Sequence, residues 1–264
     1  MTVRRNTLTN ISNPSVRDKS PLFTRFSAVF IVITVMLGFF ASQLLGLYGA
    51  AKAVLPAADT MSTSELMLEG GEQGLVVSVS VLLSGALLVA MTFLIIRLKA
   101  SGLRQVMDYL GIRHFGLSNL WIGLGLLAVF TVINEVVTAM LDRTPMAFVD
   151  PLFASTDVKW LLITVIVVVA PLYEELVFRG LLWSVIAEQF TRPKGIVIAS
   201  LISSVLFAAV HLQYGLYEMA AIVVLALIFC YMRLRSKSLL LPIVLHMINN
   251  AVAMMLYLWL GSGA

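Results

Sequence analysis

Charge is what this sequence has least of. Only 12% of its 264 residues are Asp, Glu, Lys or Arg, about half of what soluble domains carry, while 60% are hydrophobic and the mean hydropathy is +0.98. A soluble globular chain is excluded, and the composition is that of a membrane protein of single-domain size. Nearly every residue is needed for membrane spans, so any chemistry has to take place among the helices. Cysteine is almost missing as well. The single Cys230 sits in an apolar run, which excludes a disulfide framework and a thiolate zinc site and leaves it a packing residue. Neither an internal repeat nor a low-complexity tract is visible. The net charge of +4 would suit an acidic partner, but its placement explains it as membrane topology, and nucleic acid is not implied.

What is present is a series of apolar runs. Residues 1–26 are polar and basic and read as a disordered cytoplasmic tail. Ser27 to Ala51 is long enough to span, about 37 Å at 1.5 Å per residue, and too long for the apolar core of a signal peptide. A loop rich in acid runs from Lys52 to Gly74, and Leu75 to Ile96 is the second span. Leu103 to Leu110 is expected as a short amphipathic helix on the membrane surface. The third span, Leu117 to Leu141, is interrupted by Asn134 and Glu135, and an acidic loop with Pro145 and Pro151 follows. Further spans are expected from Trp160 to about Phe190, Ile196 to Leu212, Leu216 to Met232 and Leu239 to Leu260, the last capped by Ser238 with Pro242 in its first turn. The reading is an all-α, polytopic transmembrane helical bundle of seven spans, divided into the tail (1–26), amino-terminal helices (27–158) and a helical core (159–260). Lys and Arg on alternate sides number fourteen against three, which puts the amino terminus in the cytoplasm by the positive-inside rule. Small size points to a prokaryotic plasma membrane.

Polar residues break the apolar runs at a few places only. From Trp160 to Tyr173 every residue except Thr164 is apolar or proline, and then Glu174, Glu175 and Arg179 appear within six residues. An ionisable group at bilayer depth costs about 3 kcal/mol or more, so it persists when paired, when facing a wet cavity, or when chemistry needs it. Glu175 and Arg179 share a helix face at i, i+4, with Glu174 rotated away by about 100°. Phe207 and His211 share a face on the fifth span, and His246 and Asn250 on the last. An acid, two imidazoles and a carboxamide converging in a low-dielectric cavity are the parts needed to add water to a peptide carbonyl. If Arg179 pairs with Glu175, Glu174 is left to act as general base. His211 could share the water, and His246 with Asn250 could donate to the oxyanion. Pro171 removes a backbone bond to the Val167 carbonyl and so admits a kink just before the glutamates.

Each feature has a plainer reading. Glu174 could be a buried partner of Arg179, and either His alone an interhelical hydrogen bonder. Phe207 reads as packing and Asn249 as helix glue. Asn134 and Glu135 either line the cavity or pair between helices, while His114 and Glu218, near span ends, need no function.

Taken together, Glu174-Glu175-x-x-x-Arg179, Phe207-x-x-x-His211 and His246-x-x-x-Asn250, in this order within apolar spans, resemble the CPBP family, the CAAX prenyl endopeptidase and bacteriocin-processing group of intramembrane proteases. The resemblance covers Trp160 to Tyr257. It implies a helical bundle with a membrane-embedded cavity, endopeptidase activity on a peptide or protein substrate, water activation by Glu174 and His211, and oxyanion donation by His246 and Asn250. The group is often labelled metalloprotease, so a divalent metal such as zinc is a candidate cofactor, with Glu174, His211 and His246 as three ligands of an open site. No His-Glu-x-x-His supports it.

One feature resists straight helices. Glu174 and His246 fall in the inner half of their spans, about 21 Å from the outer end and 10 Å from the inner end respectively, whereas His211 would lie too far out. Either the fifth helix begins below the membrane surface or it tilts steeply. Two rival functions stay open: a proton-coupled transporter, which predicts inverted repeats, and a non-catalytic scaffold or regulator.

Overall fold

The computed structural model describes residues 21–143 and 146–261. The chain is helical, with no strand among the described residues. Its helices are α1 (Arg25–Val54), α2 (Thr63–Glu72), α3 (Gly74–Arg97), α4 (Leu103–Leu110), α5 (Leu117–Met140), α6 (Asp150–Ala154), α7 (Lys159–Ala187), α8 (Lys194–Ala209), α9 (Leu216–Ser236) and α10 (Leu240–Trp259). Six of them, α1, α3, α5, α7, α9 and α10, are long and apolar enough to cross a membrane, and α8 is a shorter apolar helix. The protein is an integral membrane bundle of about seven membrane helices.

Of the tail expected over 1–26, residues 1–20 lie outside the described residues, as does Pro145. The remainder is not a free tail. The Leu22 and Phe23 N–H groups donate to the Glu188 carboxylate at 3.0 and 3.1 Å, Phe23 is buried, and α1 already begins at Arg25, capped by the Thr24 hydroxyl. The α1 and α3 helices pack along their length through small residues. The Ser84 hydroxyl donates to the Ser42 carbonyl at 2.9 Å, the close approach that replaces hydrophobic drive between helices in lipid.

Part of the acidic loop expected from Lys52 to Gly74 is a helix. Ser62 and Glu65 form a reciprocal capping box at the start of α2, a signal present in the sequence as Ser-x-x-Glu. The Glu65 carboxyl is held below its ordinary range, chiefly by the Ser62 N–H and then by its hydroxyl. A carboxylate whose pKa is lowered by folding stabilises the folded form above the ordinary carboxylate range. That contribution disappears as pH falls through the lowered value. Glu65→Ala is therefore expected to speed amide exchange across Thr63–Leu66 at neutral pH and to make little difference under strongly acidic conditions, as read by hydrogen exchange.

The centre of the bundle is α7, packed against α1, α3, α4, α8, α9 and α10. Half of its most apolar window is buried inside the protein, compared with 11% for α5. It is not a uniform α-helix. Val165–Val169 and Leu176–Leu182 are wound as π-helix on either side of Ala170–Glu175. The Ala170 N–H reaches back five residues to Val165. In that register the carbonyl that Pro171 leaves unpaired is Ile166, not the Val167 carbonyl expected for an α-helix. A buried carbonyl needs a partner, and the Asn250 amide of α10 supplies one at 3.0 Å.

The short α4 helix forms as expected, but its buried Val106 and Leu110 face α3 and α7 rather than lipid alone. Gly180 allows this, because a Cβ there would lie 2.8 Å from a Leu110 methyl. The Ser238 hydroxyl accepts from the Leu240 N–H at 3.1 Å and donates to the Arg113 carbonyl, so it caps α10 from one residue outside. The fifth span departs most from expectation. With 16 residues, about 24 Å at 1.5 Å per residue, α8 is too short to cross the hydrocarbon and stops at Ala209. His211 is carried on the connection beyond it and lines the same cavity as Glu174.

Candidate active site

Two successive carboxylates on α7 take different surroundings because they lie 100° apart around the helix. Glu175 is fully buried. Its Oε1 accepts from Arg179 Nη1 at 2.8 Å and from His246 Nδ1 at 3.0 Å, while Oε2 has no hydrogen-bond partner among the described residues. Arg179 is also fully buried, and its Nε and Nη2 are unpartnered. Aromatic rings take up that side of the cation, with the guanidinium carbon 4.2 Å from the centroid of Phe207 and 5.5 Å from that of Phe229. Attraction to the ring faces is strongest where water is excluded. Phe207, expected as packing, thus also carries part of a charge.

Glu174 turns instead toward a cavity of about 990 Å³. The hollow is lined by Glu174, Phe207, His211, His246 and Asn250 together, and also by Asn134 and Glu135 of α5. The three motifs, far apart in the chain, therefore meet around one space. His246 Nε2 lies 3.8 Å from Glu174 Oε2, so the imidazole is held by one carboxylate and faces the other. Because Glu175 accepts, His246 carries hydrogen on Nδ1 and, when neutral, a bare Nε2. His211 is fixed in the same sense. Its Nδ1 donates to the Phe207 carbonyl at 2.7 Å, which leaves Nε2 as the free lone pair, and its ring stands 4.7 Å from that of Phe207. Asn250 is committed in part, with one amide N–H on Ile166 and its oxygen accepting from Asn249 at 3.3 Å.

These tautomers suit a metal ligand or a base equally. Among the described residues, however, no three His, Cys, Asp or Glu side chains stand close enough to share a metal ion. As arranged, Glu174, His211 and His246 do not fit the three-ligand site.

Several residues of the site were not singled out by sequence. Gln43 of α1 and Tyr173 of α7 line the cavity together with the apolar Phe39, Phe40, Val77 and Val81. Gln43 was visible as a polar interruption of the first span. Tyr214 stacks on His211 with centroids 6.2 Å apart. Burial pushes its phenol up to about 12, with the Glu174 and Glu218 carboxylates adding to the effect. Glu218, expected to need no function, lines the same cavity with Oε2 buried and unpartnered. His114 takes no part in it. Arg233, counted as a loop cation, is buried. It donates to the Arg179 and Leu110 carbonyls and to the Ser184 hydroxyl, with its guanidinium over the Trp183 ring, and so braces the π-wound turn that holds Arg179.

Residues 156–252 match the family of Type II CAAX prenyl endopeptidase Rce1-like proteins. A curated relative, "Uncharacterized 24.3 kDa protein" of Escherichia coli, is 37% identical over 103 residues, which cover 38% of this chain and 46% of the relative, less than half its length. No solved structure matches the chain. The matched segment is the one that carries the three motifs, in agreement with their CPBP resemblance.

Proposed function

We propose that the protein is an intramembrane endopeptidase that hydrolyses peptide bonds with water activated by Glu174. The Rce1-like family implies a CAAX-type intramembrane protease. The observation that carries the reading is the single cavity reached by Glu174, His211 and His246, with Glu175 buried behind to hold His246 in place. Water in this hollow gives its proton to Glu174 as its oxygen bonds to the substrate carbonyl carbon. The tetrahedral adduct then collapses with loss of the C–N bond, and the proton on Glu174 passes to the departing amine nitrogen. His211, through its free Nε2, orients the water. His246 and the second N–H of Asn250 stabilise the oxyanion, His246 doing so once its Nε2 is protonated.

The substrate in this reading is a peptide or protein segment, prenylated or not, that enters from the bilayer region. The excess of Lys and Arg on one side supports a cytoplasmic amino terminus, and the small size favours a prokaryotic plasma membrane. On that orientation the connections of the opposite face, α5 to α6 and α8 to α9, contribute Arg143, Met146, Gln213 and Tyr214 to the cavity lining. The test is purified protein in liposomes incubated with a peptide library and read by mass spectrometry. New amino termini are expected with wild type, absent with His211→Ala and unchanged by a chelator. No cleavage by wild type would overturn the reading, and loss with chelator restored by zinc would replace its mechanism. A proton gradient that drives uptake without cleavage would favour transport.

A further inference from the structure

Four phenols line the cavity: Tyr173, Tyr214, Tyr217 and Tyr257. Three of them give their hydrogen to a neighbour. Tyr217 donates to the Asn134 side chain at 3.2 Å, Tyr257 to Asp150 at 2.6 Å, and Tyr214 to the Met146 sulfur at 4.0 Å. Tyr173 differs. Its oxygen accepts from Gln43 Nε2 at 3.5 Å, and its own hydrogen goes to no acceptor among the described residues. The side chain is 3% exposed and its ring is fixed from behind by α3, where a Cβ at Gly85 would come within 2.8 Å of it. A buried hydroxyl hydrogen without an acceptor is costly, and this one belongs to the residue immediately before Glu174.

The other donors of the site are partly spent. Asn250 has given one N–H to Ile166, and His246, protonated on Nδ1 toward Glu175, offers Nε2 as a donor only when cationic. We infer that the Tyr173 hydroxyl, oriented by Gln43, is a further catalytic donor that hydrogen-bonds the carbonyl oxygen of the scissile bond as it becomes an oxyanion. A neutral phenol keeps this donor in place whatever the charge on His246, so the carbonyl is polarised before any proton has moved. The inference rests on the hydrolytic reading above.

The experiment uses the full chain in liposomes and a peptide that wild type cleaves. Tyr173→Phe keeps the ring and removes the hydroxyl. Removing one oxyanion donor lowers kcat by about 10²–10³-fold in known cases, and that fall is expected here with KM changed less than about threefold and the pH profile unmoved, because Glu174 and the histidines are untouched. Gln43→Leu, which releases the phenol without removing it, is expected to cost about tenfold. If Tyr173→Phe folds poorly with Gln43 left unpaired, the double variant Gln43→Leu/Tyr173→Phe removes both polar groups together and carries the same kcat test. Wild-type kcat in either variant, or a change confined to KM, would overturn the inference while cleavage that still depends on His211 leaves the hydrolytic reading standing. Absence of cleavage by wild type would overturn both.

Discussion

Replacing Glu174 by Gln is expected to lower kcat for peptide cleavage by about 10²–10⁴-fold, the range that general-base catalysis supplies, with the fold intact. The two effects separate because the carboxylates on α7 have separate tasks. Glu174 makes no hydrogen bond among the described residues, and His246 Nε2 lies 3.8 Å from its Oε2. A carboxamide of the same shape therefore removes a proton acceptor and little binding energy. Single-turnover cleavage of a peptide that wild type processes, beside thermal unfolding of both proteins in the same detergent, checks the prediction. A variant that cleaves at the wild-type rate would strip Glu174 of its role.

The second large effect belongs to stability. Arg179→Leu is expected to destabilise the protein by about 3–5 kcal/mol, the usual cost of leaving one member of a buried ion pair alone. Glu175 would keep only His246 as a partner while remaining fully buried. Glu175→Gln/Arg179→Leu should recover much of the loss, since no uncompensated charge is left. Denaturant unfolding of wild type, both single variants and the double variant forms a cycle whose coupling term reports the pair. Near-zero coupling would mean that the Phe207 and Phe229 rings, rather than Glu175, hold the cation.

The polar residues that line the cavity are more legible in the sequence than the backbone that presents them. Glu174, His211, His246 and Asn250 are polar residues in apolar runs, and the cost of such residues in lipid makes them conspicuous wherever they occur. The seven membrane helices and the short α4 followed from the same contrast. What stayed hidden depends on partners remote in the chain. The π-winding of α7 is held by Asn250 and Arg233, which lie 84 and 54 residues from the carbonyls they bind. No local pattern announces either. Arg233 looked like a topology marker because it sits among Arg235 and Lys237, and only packing against Trp183 reveals it as buried. The carboxy-terminal end of α8 falls three residues short of the expected Leu212 because Val210 and Leu212 prolong the apolar run, whereas the backbone leaves the helix after Ala209 and His211 lines the cavity. The Ser62-x-x-Glu65 box was legible and was passed over for the acidity around it. The metal candidates were legible as residue types only, since the distances that decide a shared ion are not written in spacing.

The clasp between Asn250 and Ile166 has a consequence for biosynthesis. The carbonyl that Pro171 exposes is answered from a segment translated some 84 residues later, and the same segment delivers His246. A nascent chain that has inserted everything up to α9 holds its two glutamates without the imidazole or the carboxamide that complete their surroundings. The lining of the cavity is therefore complete only when α10 is threaded into place.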